Sequence, residues 1–177
     1  MADTSRELTA LLALFPDNTT GQITPQNLRD LAVSMLSGYG CLSGTTEGSE
    51  ITSESAVVID QFSEESVSSD DVTLNADGND GRIAVSVEGD YLISVCASLK
   101  NEVTCTPGNI AVFKNGVVVP GLNATLRSGV SANQITPVSI AAIVHLEADD
   151  YVDVRGWVAT SGDLLVKGGS FFIKRVG

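Results

Sequence analysis

Residues that support catalysis or metal binding are scarce in this sequence. It contains one histidine, His145, and its three cysteines, at positions 41, 96 and 105, show no Cys-x-x-Cys spacing. A structural zinc site is therefore difficult to assemble within one chain. We predict that the protein holds no metal and no cofactor.

Positive charge is also scarce. Ten Lys and Arg residues stand against 22 Asp and Glu residues, which gives a formal net charge of -12. Such a charge repels a phosphate backbone and removes the attraction that supplies most non-specific binding to nucleic acid. We predict no nucleic-acid partner and interpret the acidity as a source of solubility.

The N-terminal residues lack the basic and apolar regions of a signal peptide, and no apolar run reaches the ~18 residues of a membrane-spanning helix. The sequence therefore predicts neither secretion nor membrane insertion, and it predicts reduced thiols in a cytosol. Cys96 and Cys105 could face each other across a hairpin. Their pairing is left open, because a disulfide requires a defined Cα separation.

Catalytic arrangements are not evident among the remaining residues. His145 lies in the apolar run Ile140–Leu146 without a nucleophile elbow, so we expect it in the core or at a subunit interface. No pair of carboxylates stands out as a glycosidase pair. The acidic segment Asp70–Gly81 offers the oxygen ligands that Ca²⁺ prefers but lacks the EF-hand spacing, and calcium binding is left open. We predict that the protein is not an enzyme.

The N-terminal segment carries two helical patterns, at Glu7–Phe15 and from Pro25 to about Ser37, with a turn at residues 16–21 between them. The second pattern is well delimited, because Thr24 is a good N-cap, Pro25 is favoured at the first helical position and Gly38 follows as a stop. Apolar residues recur on one face of this helix at intervals of three and four. They are Leu28, Leu31, Ala32, Met35 and Leu36, and we expect them either to fold back on the protein or to anchor it to another protein.

Composition divides the chain into three parts. Residues 1–37 form the helical arm, and residues 38–67 are rich in Gly, Ser, Thr and Glu, which predicts a connector with one candidate strand at Ala56–Ile59. Residues 68–177 alternate short apolar strands with turns, and Asn115-Gly116 between two apolar runs is a strong hairpin signal. This part predicts an all-β antiparallel sandwich.

Two aromatic residues follow the acidic turn at Asp149-Asp150. Tyr151 and Trp157 lie on one predicted strand, where such residues most often belong to the core or to an interface. If they were exposed at a distal tip, they could stack on a host surface glycan. Only 5% of the residues are aromatic, which argues against an extensive glycan-binding platform.

The order of strands over residues 68–177 resembles the jelly roll of the tumour necrosis factor and complement globular-head superfamily. The likeness lies in the Gly89-Asp90-Tyr91 turn, the Phe113–Gly116 hairpin, the segment Leu146–Val154 and the terminal strand at Phe171–Ile173. It departs from the pattern at Ala148-Asp149-Asp150, which replaces the usual Gly-Asp. The resemblance implies a jelly-roll trimerisation domain and a tight homotrimer.

The segment from Pro16 to Asp30 resembles one that recurs near the start of tailed-bacteriophage virion proteins. That resemblance implies a virion structural protein assembled in the host cytoplasm, whose residues 1–37 bind the major capsid protein or another virion protein. The short connector favours a trimeric capsid decoration protein, of the cement or head-fibre kind. The alternative is a tail fibre or spike protein that recognises a host surface glycan, and a secreted cytokine-like ligand is a further rival that the lack of a signal peptide disfavours.

Overall fold

The computed structural model of the protein describes residues 23–44, 50–52, 54–101, 108–126, 134–158 and 164–176. The predicted helix at 7–15 and the predicted turn at 16–21 lie outside these ranges. The described elements are α1 (Pro25–Leu36), β1 (Tyr39–Gly44), β2 (Glu50–Ile51), β3 (Val57–Val58), β4 (Glu64–Ser68), β5 (Val72–Leu74), a 3-10 turn (Ala76–Gly78), β6 (Arg82–Val85), β7 (Gly89–Asn101), β8 (Gly108–Lys114), β9 (Val117–Thr125), β10 (Ile135–Leu146), β11 (Tyr151–Val158) and β12 (Leu164–Arg175).

Helix α1 begins and ends where the sequence predicts. The Thr24 side chain accepts a hydrogen bond from the Asn27 backbone N–H at 3.2 Å, which satisfies one of the unpaired donors of the first turn. Pro25 occupies the first turn, where its missing N–H has no cost. Gly38 follows the last turn with a φ of 76°. Within the described ranges, no helix is long and apolar enough to cross a membrane.

The strands form two antiparallel sheets that pack face to face. Sheet I has the order β10-β7-β12-β1-β4, with β2 beside β12, and sheet II has the order β5-β6-β11-β8-β9, with β3 beside β11. This arrangement confirms the predicted antiparallel jelly-roll sandwich with a short helix near its N-terminus. The predicted strand at Ala56–Ile59 is present as β3.

The core lies between the sheets and follows the alternation of the strands. Along β7 the buried side chains are Tyr91, Ile93 and Val95, while the residues between them point away from sheet II. Phe62 and Phe171 pack across the core with ring centroids 6.3 Å apart. Each such buried large apolar side chain stabilises the fold by about 1.5–3 kcal/mol.

The hairpin between β8 and β9 has the predicted turn. Asn115 and Gly116 both have positive φ values, 49° and 80°, as a type I′ turn requires. The next acidic turn also needs positive φ, and Asp149 supplies it with a φ of 70°. Aspartate tolerates this conformation better than most residues, which explains how the chain replaces the Gly of the family pattern.

The predicted boundary between connector and sandwich at residue 68 differs from the structure, because residues 38–67 contribute strands β1 to β4 to the sandwich. Strand β1 is an interior strand of sheet I, paired with β12 and β4. Close packing leaves no room for a side chain at its glycines. A Cβ at Gly40 would lie 2.6 Å from Val72 Cγ1, and one at Gly44 would overlap the Gln61 carbonyl oxygen. A Gly-rich and Ser-rich composition therefore marks tight packing here as well as a connector.

A candidate assembly surface

The outer face of sheet I, which points away from sheet II, carries an apolar band across five strands. The strand register places Ile143 of β10 beside Leu92 of β7. Two residues further along the strands, Cys41 of β1 lies between Phe172 of β12 and Val67 of β4. Ile143 and Val67 are exposed, and the other three are half-buried. Apolar side chains exposed together on a sheet face can serve as a surface for protein contact.

Small side chains border this band on the outer face of sheet I. The residues Cys96, Ser139 and Ser170 occupy the next level, and they line a depression of about 570 Å³ together with Pro137 and Ser98. The outer face therefore combines a ridge of large side chains with an adjacent hollow, a shape that can receive side chains from another protein.

Helix α1 shows burial opposite to that expected of an amphipathic helix. Its polar residues Asp30 and Ser34 are buried, with Asp30 only 3% exposed. Its apolar residues Met35 and Leu36 are 70% and 72% exposed, and Leu28 is also exposed. Of the remaining residues of the predicted anchoring face, Leu31 is half-buried and Ala32 is exposed. The apolar face of the helix is thus available for contact outside the subunit.

The end of the helix is fixed to the body by β12. Arg175 Nη2 donates to the Ser34 carbonyl oxygen at 3.0 Å and to Ser37 Oγ at 3.1 Å. Lys174 Nζ donates to the Ser37 carbonyl oxygen at 2.8 Å. Cations near the last carbonyl groups also interact favourably with the helix dipole. We call this set of contacts, together with Asp71, the helix latch.

Asp71 completes the helix latch from sheet II. Its Oδ1 accepts hydrogen bonds from the Gly38 backbone N–H at 2.8 Å and from Ser69 Oγ at 2.5 Å, and its Oδ2 lies 3.8 Å from Arg175 Nη1. Burial opposes its ionisation, but the bonds from Ser69 and Gly38 outweigh burial and hold the pKa of Asp71 below its usual value. The carboxylate therefore stays charged inside the fold. Sequence reasoning missed the latch, since its residues are distant along the chain.

His145 lies on the outer face of β10 and is exposed, so the expectation that it could lie in the core is wrong. Its Nδ1 is 3.0 Å from Asp90 Oδ1, and its Nε2 is 3.4 Å from Glu88 Oε1. The hydrogen bond with Asp90 raises the pKa of His145 above its ordinary value, and the negative charges of both carboxylates add to the effect. The imidazole therefore keeps its positive charge to a higher pH than a free histidine does.

We expect Asp90→Asn to lower the pKa of His145 toward that of a free histidine, about 6.5. Because the pKa of His145 is raised in the folded protein, its contact with Asp90 stabilises the fold fully at pH values below the unfolded pKa. This stabilisation is lost as the pH rises through the pKa of the folded state. Titration of the imidazole signals by NMR measures the shift directly. Glu88→Gln serves as the control with a smaller expected shift, and an unchanged pKa in Asp90→Asn would contradict the assignment.

The two aromatic residues predicted for a distal surface are not brought together. Tyr151 starts β11 beside the loop that follows β10, at the end of the sandwich where α1 is fixed. Trp157 lies six residues along the strand, about 20 Å away at the usual rise. Tyr151 is thus proximal to the helix, and only Trp157 lies toward the opposite end.

Guanidinium groups cover aromatic rings on the outer face of sheet II. Arg82 lies 3.9 Å above the centroid of Tyr151, and Arg155 lies 4.6 Å above that of Phe113. Phe113 in turn meets Trp157 edge to face at 6.5 Å. Because these rings already have partners, they are not an open platform on which a sugar could stack.

Two of the four carboxylates in the acidic segment Asp70–Gly81 make contacts within the subunit. Asp71 belongs to the helix latch, and Asp77 Oδ2 lies 3.4 Å from Arg82 Nη1. Within the described ranges, no group of three His, Cys, Asp or Glu side chains is placed to hold a metal ion. Cys41 and Cys96 are free thiols, and Cys105 lies outside the described ranges.

Solved structures share this fold at low sequence identity. The tumour necrosis factor Eiger of S. frugiperda aligns with a TM-score of 0.55 and 13% identity, covering 78% of this chain and 92% of that one. The globular domain of zebrafish complement 1qA protein aligns with a TM-score of 0.53 and 15% identity, covering 79% of this chain and 98% of that one. No family model matches the sequence, and no curated protein matches it. The chain therefore has a jelly roll of the tumour necrosis factor and complement globular-head type.

Proposed function

We propose that the protein is a non-enzymatic bacteriophage virion protein, a homotrimer that decorates the capsid and is anchored by its N-terminal helix. The observation that carries the proposal is the pair of exposed apolar surfaces, on the outer face of sheet I and on α1. A fold whose polar helix residues are buried and whose apolar helix residues are exposed needs partners to cover them.

The outer face of sheet I supports self-association. Its apolar band forms a ridge and the adjacent hollow forms a recess, so the ridge of one copy can pack into the recess of the next. Such a head-to-tail contact forms a closed ring when the rotation between neighbouring subunits closes. The low-identity likeness to tumour necrosis factor and complement domains supports the fold of such a subunit.

The virion assignment rests on the resemblance of the segment from Pro16 to Asp30 to the N-terminal segments of tailed-phage virion proteins. The exposed helix residues support docking on the major capsid protein or another virion protein. Three linked helices would bind more strongly than one, because each raises the effective concentration of the others. The protein would then be located in the virion, after assembly in the host cytoplasm.

The alternative, a tail fibre or spike that binds host glycan, has less support. Arg82 covers Tyr151, and Tyr151 lies at the same end of the sandwich as the helix, where the particle would be. Trp157 alone remains toward the opposite end. Binding of the purified protein to host cells would favour this alternative.

We expect Leu28→Asp to leave a folded trimer that no longer co-sediments with capsids. The charge would disrupt an apolar contact at an exposed residue while leaving the subunit core and the helix latch unchanged. The matched control is Val117→Asp, an exposed apolar residue on the β8–β9 hairpin, which should still co-sediment. Binding of Leu28→Asp at the wild-type level would refute anchoring through this face.

A further inference from the structure

A cavity of about 530 Å³ opens between the last turn of α1 and sheet I. Val33, Leu36 and Tyr39 line its apolar side, and Ser37, the end of β4 and the loops after β4 and β6 line the remainder. Leu36 lines this cavity although most of its side chain is exposed to solvent. An open cavity bordered by an exposed leucine has room for a side chain from outside the subunit.

Tyr39 connects this cavity to the outer face of sheet I. It is the first residue of β1, and register places it beside Lys174, which lies beside Leu92, which lies beside Ile143. The Lys174 ammonium group lies 5.5 Å from the Tyr39 ring centroid and donates to the end of the helix. The last helical turn therefore adjoins the outer face of sheet I, with Tyr39 and Lys174 lying between Leu36 and the apolar band.

The helix latch prevents Met35 and Leu36 from turning inward. Arg175 holds the carbonyl oxygen of Ser34, and the Gly38 N–H is bound by Asp71, so the rotation of the last turn about the helix axis is fixed. With Ser34 buried on the inner side, the two apolar side chains face outward. Their exposure is a property built into the subunit.

We propose that the last turn of α1 packs against a second copy of this chain, so that Met35 and Leu36 extend the subunit contact made by the outer face of sheet I. The inference rests on the proposed homotrimer and deepens it. A second copy is favoured over a virion protein because the turn is rigidly placed and adjoins the surface through which copies would meet. The apolar face of α1 then makes two contacts: its last turn packs against a second copy of the chain, and Leu28 packs against the virion protein.

The test compares Leu36→Glu and Met35→Glu in the full chain with Val117→Glu, whose native residue is 68% exposed, close to their own values. Sedimentation velocity over a dilution series gives the dissociation constant of the trimer, and circular dichroism confirms folding. We expect both helix variants to raise the dissociation constant at least about 10-fold and Val117→Glu to change it little, since a carboxylate placed in an apolar contact loses its water without gaining a partner. Leu36→Gln, which adds no charge, should shift it in the same direction.

Three outcomes would overturn the inference. A wild-type chain that is monomeric at all concentrations would remove the proposed homotrimer and this contact together. A trimeric wild type with Leu36→Glu indistinguishable from Val117→Glu would refute this contact alone and leave the homotrimer standing. An intact Leu36→Glu trimer that fails to co-sediment with capsids would assign the last turn to the virion protein instead.

Discussion

Phe172→Asp is expected to convert the proposed trimer into a folded monomer. Phe172 lies in the middle of the apolar band, between Ser94 on β7 and Cys41 on β1, and its side chain is only half-buried within the subunit. A carboxylate there would have to lose its water at every subunit contact without gaining a partner. Central contact residues typically cost about 2 kcal/mol or more when lost, which corresponds to about 30-fold in a dissociation constant.

The measurement is the mass of the purified variant by light scattering at several concentrations. Because Phe172 points away from the core, the thermal unfolding of the monomer should remain cooperative. Val117→Asp, at an exposed position on the other sheet, is the matched control and should stay trimeric. A Phe172→Asp protein that remains a trimer at low micromolar concentration would exclude the outer face of sheet I as the contact between copies.

Arg175→Met is expected to lower the free energy of unfolding by about 3–5 kcal/mol at neutral pH, the range found when one partner of a buried ion pair is removed. Both Arg175 and Asp71 are at most 8% exposed. The substitution removes one of the donors to the Ser34 carbonyl oxygen and takes away the cation that faces the carboxylate of Asp71. Denaturant unfolding at a fixed protein concentration measures the loss.

The pH dependence of this loss has a definite sign. The pKa of Asp71 is lowered in the fold, so its contribution is present above the ordinary aspartate value and disappears as the pH falls through the folded value. The double variant Asp71→Asn/Arg175→Met also removes the negative charge that Arg175 faces, and it should recover part of the stability. Arg29→Met, on the exposed side of α1, is the control and should change stability by less than about 0.5 kcal/mol. A loss below about 1 kcal/mol in Arg175→Met would show that the latch does not stabilise the fold.

Local chemistry explains what the sequence could predict. The Thr24 cap and the Asn115-Gly116 turn depend on residues close together in the chain, and each appears in the structure as predicted. The fold class follows from the repetition of such units. The prediction of a connector is wrong for the segment that contains Gly40 and Gly44. These glycines allow β1 to approach Val72 and Gln61 closely, and no local sequence pattern distinguishes this role from flexibility.

The site was predictable only in part. The apolar face of α1 follows from helical periodicity, but which of its residues are exposed depends on the latch, and Asp71 and Arg175 carry no sequence signal that joins them. The outer face of sheet I combines residues from five strands, so its continuity arises only when β1 lies between β12 and β4. Chain order does not reveal which end of the sandwich a turn occupies, so no local pattern shows that Tyr151 lies at the end where α1 is fixed.

The direct connection of α1 to β1 determines how the subunit bears mechanical force. A pull on the helix passes through Gly38 into β1, which is bonded to β12 on one side and to β4 on the other. A force directed along β1 would load the hydrogen bonds on both sides together in shear, so that they would not open one after another. The Arg175 side chain connects the helix to β12 as well. If the protein decorates a particle as proposed, a pull on its anchored helix would therefore be carried by the interior strands of sheet I.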